Sequence, residues 1–471
     1  MQERQTSIKL MDSTESLASV GFIIGAKNNK IDSREIPKAT ILANQFLEQN
    51  RSTLNLFGVS AAVINDGYSV KLHFIAHDQI GACPLKSPTS GRYEYGLIIE
   101  PRFKWKGLGC MLDAMGWKII PELQKLPMLP SSSREIPTWV LCSVIVMRIE
   151  GLLKNVIRKF EETREYLSTP RGRIDWDDYS KKQISQMKFL NIPCEFSSLN
   201  EHMELLGAVR YTLQRILSEL VAVKSGGTIV FQLILRVQRL LQRLSAYLPI
   251  KPTPKMLCTW ISAVSMKNTC FCNGLEAIQW AVENRGLAGL SDFRGLPWKM
   301  SMSAFFEAWV ETISHRLVSK IGGVVLTGRT NETVVPIAWE TASQGTQKSL
   351  RPDILIQKEN SVIIIDAKFK SHWTELNATS WMAMDIEHQE DHRHDLLQVL
   401  AYSTCFAKKE LKVCLVYPCK YDVWTDLVKR GRSYRRASIY SGTRHVEVIL
   451  TAVPMSGDIE EIASEQARWI A

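Results

Sequence analysis

The sequence predicts a mixed α/β and α+β chain in three parts. These are a β-rich N-terminal domain over residues 1–125, a helical middle over 138–290 and an α/β core over 296–471. Three observations predict it. The chain has 471 residues, more than one hydrophobic core organises, so two or three domains are expected. Short runs of β-formers crowd its first hundred residues, while longer helical periodicities fill the middle. From about residue 298 the pattern changes to helix, strand, hairpin, helix, strand.

The N-terminal runs are "VGFIIGA", "YSVKLHFIAH" and "YEYGLIIEP", between 20 and 101, separated by Asn, Asp, Gly and Pro. "LPMLPSSSREIP", 126–137, reads as a linker. Helical patterns follow from about Trp139 to Tyr166 and from about Leu199 to Tyr247, the second broken near Gly226 and Gly227. Between them lies "TPRGRIDWDDY", a basic then acidic loop. In "MSAFFEAWVETISHRLV" the apolar residues fall at 302, 305, 306, 309, 310, 313 and 317, one stripe of a helix. The hairpin "RPDILIQKENSVIIIDAKFK", 351–370, comes next, then the polar stretch "EHQEDHRHD", the helix "DLLQVLAYSTCFAKK" and the strand "KVCLVYP". Asp395 stands where that last helix would take an N-cap.

Composition narrows the function classes. Hydrophobic residues make up 45% and charged residues 23%, which excludes a disordered or membrane-filling chain. The formal net charge of +10 points to an anionic partner, nucleic acid before membrane surface. Of ten cysteines only Cys270 and Cys272 are close, and nothing nearby completes a zinc set, so reduced thiols in a cytoplasmic protein are expected. "MQERQTSIKL" carries charge where a signal peptide needs an apolar core, and no run of eighteen apolar residues offers a membrane span.

The chemistry concentrates in the hairpin. A turn at Lys358–Ser361 puts Gln357 opposite Val362 and Ile356 opposite Ile363, so Asp353 comes opposite Asp366. Directly opposed side chains have Cβ atoms about 4.5–5.5 Å apart. Two carboxylates that close repel unless a proton or cation stands between them. Alternation places Lys368 on the face of Asp366 and turns the Ala367 side chain inward. Hard oxygen ligands in this arrangement suit Mg²⁺ or Mn²⁺, and an adjacent lysine suits charge developing on a phosphate. The ordinary alternative is a surface hairpin with solvated ends.

Pro352-Asp353, followed by the apolar strand running into Asp366-Ala367-Lys368, resembles the PD-(D/E)XK restriction-endonuclease-like core. Glu307 in "AFFEAW" sits on the preceding helix, where that superfamily often supplies another acid, with Glu311 one turn on as its rival. Gln398 and Tyr402 in "LLQVLAY" are four apart on one helix face and resemble the Gln-Xaa-Xaa-Xaa-Tyr element of RecB-like and McrC-like nucleases. "RGRIDW" and "FLNIPCEFSSL" extend the likeness to McrC, the nuclease subunit of McrBC-type restriction systems. The resemblance implies a metal-dependent DNA endonuclease with catalytic Asp353, Asp366, Lys368 and Glu307. It implies Mg²⁺ or Mn²⁺ held by Asp353, Asp366, Glu307 and the Ala367 carbonyl, and supporting roles for Gln398 and Tyr402. It further implies a separate AAA+ NTPase engaged by residues 1 to about 165, since the chain has no Gly-Xaa4-Gly-Lys-Ser/Thr loop of its own.

The other motifs stay open. "RFKWKGLG", 102–109, fits partner docking, DNA contact or the edge of a sheet. Arg171 and Arg173 fit phosphate contacts, or Asp175 neutralises Arg173 locally. "KRGRSYRR" offers Arg430, Arg432, Arg435 and Arg436 to a DNA backbone, against a merely solvated basic face. His388, His392 and His394 read as a mobile polar loop rather than a zinc site. A stand-alone or recombination-associated endonuclease of the same superfamily, and a non-catalytic DNA-binding scaffold, are the rival functions.

Overall fold

The computed structural model describes residues 7–24, 35–124, 126, 138–155, 159–200, 203–222, 227–263, 269–282, 297–339, 347–370, 373, 386–406, 410–441 and 444–470. The chain is mixed α/β and forms two compact units, one made of Met1–Glu135 with Gly295–Ala471 and the other of Ile136–Arg294. The first and third segments read from the sequence thus pack together, and the middle forms a body of its own. No helix among the described residues is long and apolar enough to cross a membrane.

The N-terminal part of the first unit holds two sheets. In one, Thr14–Ser19, Val70–Ala76 and Val59–Asn65 lie side by side with Val70–Ala76 central. The other runs in the order Ser7–Met11, Tyr93–Glu100, Gln79–Lys86, Trp298–Ser301, Glu122–Leu123. Its fourth strand comes from the far side of the chain and leads directly into the helix Met302–Ile321. The β reading of this region misses a long helix, Ile36–Leu56, and finds a helical turn at Gly21–Ile24 where "VGFIIGA" promised a strand. The signal was present. Ile36, Ala39, Ala43, Phe46, Asn50 and Leu54 recur at helical spacing and are all buried, and Pro37 sits in the first turn, where its missing N–H costs nothing. Buried Asn50 is satisfied by the Lys86 backbone, accepting from its N–H at 2.7 Å and donating to its carbonyl at 3.0 Å.

The C-terminal part is a six-stranded sheet in the order Val324–Thr327, Ile354–Gln357, Ser361–Ala367, Glu410–Cys419, Arg444–Pro454, Tyr434–Ser441. The middle strands Ser361–Ala367, Glu410–Cys419 and Arg444–Pro454 run parallel. Ser361–Ala367 and Glu410–Cys419 carry runs of buried apolar residues, Val362–Ile365 and Val413–Val416, as expected of strands in the middle of a sheet. The hairpin register is the expected one: Gln357 pairs with Val362, Ile356 with Ile363, Leu355 with Ile364 and Ile354 with Ile365. All seven stripe residues of Met302–Ile321 are buried. Ser301 caps this helix by accepting from the Ala304 N–H at 3.2 Å, and the Trp309 indole N–H donates to the Pro454 carbonyl at 3.1 Å.

One helix begins earlier than the sequence implied. It spans Ile386–Ser403, so the polar stretch read as a loop is its first half and Asp395 is an interior residue rather than an N-cap. Asp395 needs no cap position because it is buried against other partners: Lys370 Nζ lies 3.0 Å from Oδ1 and the Tyr417 hydroxyl 3.4 Å from Oδ2.

The second unit is only partly helical. Thr138–Asn155, Met203–Ala222, Gly227–Arg243, Pro254–Ala263 and Thr269–Val282 are helices. The helix expected to reach Tyr166 ends at Asn155, and Lys159–Leu167 is instead a strand, antiparallel to Ile192–Asn200. The pairing decides this, since no apolar helical stripe continues through "KFEETREYL" to compete with nine paired residues. Arg236 forks onto Glu150 at 2.5 and 2.6 Å and ties two helices of this unit together. The break expected near Gly226 falls at 223–226, outside the described residues.

The joint between the outer segments rests on a close backbone approach at Gly81. A Cβ there would run into the Trp298 carbonyl oxygen across the pairing of Gly81 with Lys299. Gly81→Ala is therefore expected to push the Trp298–Ser301 strand away and lower stability by about 1–3 kcal/mol. Thermal unfolding of the full chain checks this, and an unchanged midpoint counts against that joint.

Candidate active site at the mouth of the hairpin

The hairpin pairing ends at Ile354 and Ile365, one residue before the two aspartates. Asp353 keeps the register beyond that point with its side chain, Oδ2 accepting from the Ala367 N–H at 2.8 Å. Asp366 is buried at 1% exposure on the central strand, where neither oxygen receives a well-directed hydrogen bond. Lys368 Nζ lies 2.6 Å from its Oδ2 as an ion pair. Lys368 is fixed in turn, its backbone N–H donating to the Val416 carbonyl at 2.9 Å. Its ammonium donates to Gln398 Oε1 at 2.7 Å, and Gln398 Nε2 donates to the Tyr402 hydroxyl at 2.7 Å. Four residues singled out in the sequence thus form one contact chain, from Asp366 through Lys368 and Gln398 to Tyr402. The Ala367 side chain is half-buried rather than deep in the core.

The electrostatics follow from burial and crowding. Burial, then the charges of Asp366 and Glu307, push the Asp353 carboxyl well above the usual carboxylate range, against the Ala367 hydrogen bond and Lys368. Burial also raises Asp366, with Lys368 opposing. Burial works against the charge on Lys368, yet Asp366, Asp395 and Asp353 together hold its ammonium above its ordinary value. Glu307 belongs to the same field. Burial raises it, Arg351 and Arg329 lower it, and Glu311 and Asp366 raise it again.

Its rival Glu311 is occupied elsewhere. The Arg329 fork reaches its two oxygens at 3.0 Å each, and Lys118 Nζ donates to Oε1 at 2.7 Å. These outweigh the effect of burial and leave Glu311 below the usual range. Of the two acids on this helix, Glu307 is the one whose charge acts on Asp353 and which feels that of Asp366.

Among the described residues no three His, Cys, Asp or Glu side chains stand close enough together to hold an ion, so Glu307, Asp353 and Asp366 do not form a finished cage. His392 is buried with its Nδ1 3.3 Å from the Tyr417 hydroxyl, and the His388 side chain lies outside the described residues.

The basic motifs divide. Arg430, Arg432 and Arg435 are exposed on the surface, Arg430 beside Asp426 at 3.0 Å. Arg436 is committed within the fold, its Nε 2.5 Å from Glu447 and its Nη2 donating to the Trp469 carbonyl at 2.5 Å. In "RGRIDW" the Arg171 guanidinium lies over the Phe196 ring at 4.4 Å. Asp175 pairs with Arg164 at 2.5 Å rather than with Arg173. Asp395, Lys370, Arg329 and Arg351 are the site neighbours that sequence reading missed. Only Arg351, next to Pro352-Asp353, had a local signal.

The raised Asp353 carboxyl has a consequence for stability. A group whose folded pKa lies above its unfolded value of 3.8 contributes fully below that value, and its contribution is lost as pH rises through the folded value. In EDTA the protein is therefore expected to lose thermal stability between mildly acidic and mildly alkaline pH, and Asp353→Asn to flatten that slope. Parallel slopes for the two proteins would show that Asp353 is not the group responsible.

A family model described as "McrBC 5-methylcytosine restriction system component" matches residues 121–418. No curated protein matches the chain. Two solved structures from Thermococcus gammatolerans are similar. One is a refined half-complex from a tetradecameric assembly of McrB AAA+ hexamers with bound McrC. It has 14% identity, covers 99% of this chain and 99% of that one, and gives a TM-score of 0.42. The other is a cryo-EM structure of the McrBC complex, with 16% identity, coverage of 66% and 88% and a TM-score of 0.27. With well over half of its length matched, the chain belongs to the McrBC 5-methylcytosine restriction system component family.

Proposed function

We propose that this chain is the DNA-cleaving subunit of its restriction system, a Mg²⁺- or Mn²⁺-dependent endonuclease with a PD-(D/E)XK core, working with a separate AAA+ NTPase. The observation that carries this reading is the contact chain at the hairpin mouth. A buried Asp366, facing Asp353 across the hairpin, is linked through Lys368 to Gln398 and Tyr402. Structural ion pairs are usually finished objects with their oxygens satisfied. Here three acids share one field, and Lys368 is the cation paired with Asp366.

The residues fit a hard divalent cation by chemistry. The donors are all oxygen, and the mutual repulsion of Asp353 and Asp366 is what such an ion relieves. Asp353 and Asp366 would hold it, with the Ala367 carbonyl and Glu307 as further donors. When bound, the ion supplies Lewis-acid polarisation of the phosphate and a more acidic water. The chain's own groups do the rest. Lys368 presents an ammonium at the mouth, aimed by Gln398, where it orients the attacking water or meets negative charge growing on phosphate oxygens. Tyr402 fixes the Gln398 amide and so the direction of the lysine. Glu307, held among Arg351 and Arg329, would bring a third carboxylate. Exposed Arg430, Arg432 and Arg435 suit phosphate contacts that hold the duplex without reading its sequence.

Family membership and the absence of a phosphate-binding loop from all 471 residues support the NTPase partner. A component that cuts but has no motor takes one from another chain.

Asp366→Ala is expected to abolish cleavage with the fold intact. Lys368→Met should lower the turnover by about two to three orders of magnitude with little change in DNA binding. Both are read from nicking of supercoiled DNA in Mg²⁺ with and without EDTA. Cutting by the Asp366→Ala protein, or cutting that survives excess EDTA, refutes the assignment.

Cleavage of long duplex DNA at physiological salt is expected to require the partner and its nucleotide hydrolysis. Efficient cutting by the purified chain alone, indifferent to nucleotide, would favour a stand-alone nuclease.

A further inference from the structure

Besides the strand pairing of Trp298–Ser301 and the contacts of Asp78 with Ser301 and Ser303, residues 102–118 of the N-terminal part reach the C-terminal core of the same unit. Lys118 holds Glu311, one turn from Glu307. Gly107 is packed so closely on Met455 and Ser456 that no Cβ would fit. Arg102 lies with its guanidinium 4.4 Å above the ring of Phe369 and 4.9 Å from that of Phe103. Phe369 follows Lys368 directly. Its ring centroid is 6.1 Å from that of Phe306, the residue before Glu307, and 6.1 Å from that of Phe103.

Arg102 is itself anchored. Asp12, with no exposed surface, follows the strand Ser7–Met11, and its backbone N–H donates to the Glu100 carbonyl at 3.0 Å. Its Oδ1 accepts from the Arg102 backbone N–H at 2.5 Å, and its Oδ2 lies 3.7 Å from Arg102 Nε. A guanidinium stacked over an aromatic face contributes more when desolvated. The Arg102 side chain is 12% exposed.

We infer that Arg102, anchored by Asp12, is a positioning residue of the hairpin mouth. Through Phe369 and Phe306 it holds Lys368 and Glu307 in place and makes the N-terminal part a support for the site rather than a docking module alone. The effect on turnover rests on the nuclease reading, whereas the mechanical clamp does not.

The geometry supplies a direct reporter. The Ala367 N–H bonds to Asp353 and the Lys368 N–H to Val416, so the exchange rates of these two amides measure how firmly the mouth is held. In full-length, metal-free protein, Arg102→Met keeps an apolar cover on the rings and removes the guanidinium. Exchange at Ala367 and Lys368 is expected to rise about tenfold while Ile363–Ile365 stays unchanged, with Asp12→Asn giving a smaller rise in the same amides. In the cleavage assay with the partner, Arg102→Met should lower kcat about tenfold with KM for DNA unchanged, and Arg102→Lys should recover part of the loss. Should Arg102→Met not fold, Asp12→Asn carries the test alone. Unchanged exchange at both amides overturns the clamp. Faster exchange with wild-type kcat overturns its positioning role. A wild-type protein that does not cut defeats the nuclease reading, and the exchange data still judge the clamp.

Discussion

Repulsion between two acids facing each other across one hairpin is the constraint on which the site depends. Asp353 and Asp366 lie at the end of a hairpin whose paired residues Ile354–Ile356 and Ile363–Ile365 are apolar and buried, so water screens them less than it would at a surface. A fold that keeps such a pair must offset it, and the offsets define the architecture. The Ala367 N–H takes one oxygen of Asp353, and Lys368 takes the charge of Asp366. Gln398 and Tyr402 stop the lysine from swinging away. The helix carrying Gln398 must then lie over the end of Ser361–Ala367, which its buried Asp395 secures through Lys370 and Tyr417. Two carboxylates held this close raise the free energy of the fold unless a proton or a cation stands between them.

The two glutamates of one helix show how neighbouring residues of the same type are given different tasks. Glu311 is closed off by Arg329 and Lys118 and acts as a structural knot between segments distant in sequence. Glu307, one turn away, lies in the field of Arg351 and Arg329 and also in that of Asp366. Charge alone does not separate them. What separates them is whether a hydrogen-bonding partner reaches the carboxylate, and those partners come from 118 and 329, which no local pattern around 307–311 reveals.

The same boundary separates what was legible in the sequence from what was not. Local periodicity is carried by neighbours, so the hairpin register, the stripe from Met302 to Leu317 and the Gln398–Tyr402 spacing were readable. The Ile36–Leu56 helix was equally readable by spacing and was obscured by the β-runs around it. By contrast, Lys159–Leu167 is a strand because a segment further along the chain closes a sheet with it, from Leu167 opposite Ile192 to Lys159 opposite Asn200. Asp395 looked like a cap because its partners Lys370 and Tyr417 lie on other elements. Likewise the insertion of Trp298–Ser301 into the N-terminal sheet and the stacking of Arg102 on Phe369 join residues more than two hundred positions apart. Such contacts belong to tertiary packing, which a pattern of neighbours does not encode.

A cation held between the facing aspartates would be seen in calorimetric titration of Mn²⁺ into the metal-free, full-length chain. Saturable binding is expected, abolished by Asp366→Asn and weakened by Asp353→Asn. Glu311→Gln, which alters an acid already held by Arg329 and Lys118, is expected to leave the ion bound. Identical isotherms for the wild type and Asp366→Asn, or no binding by the wild type at millimolar Mn²⁺, would contradict it.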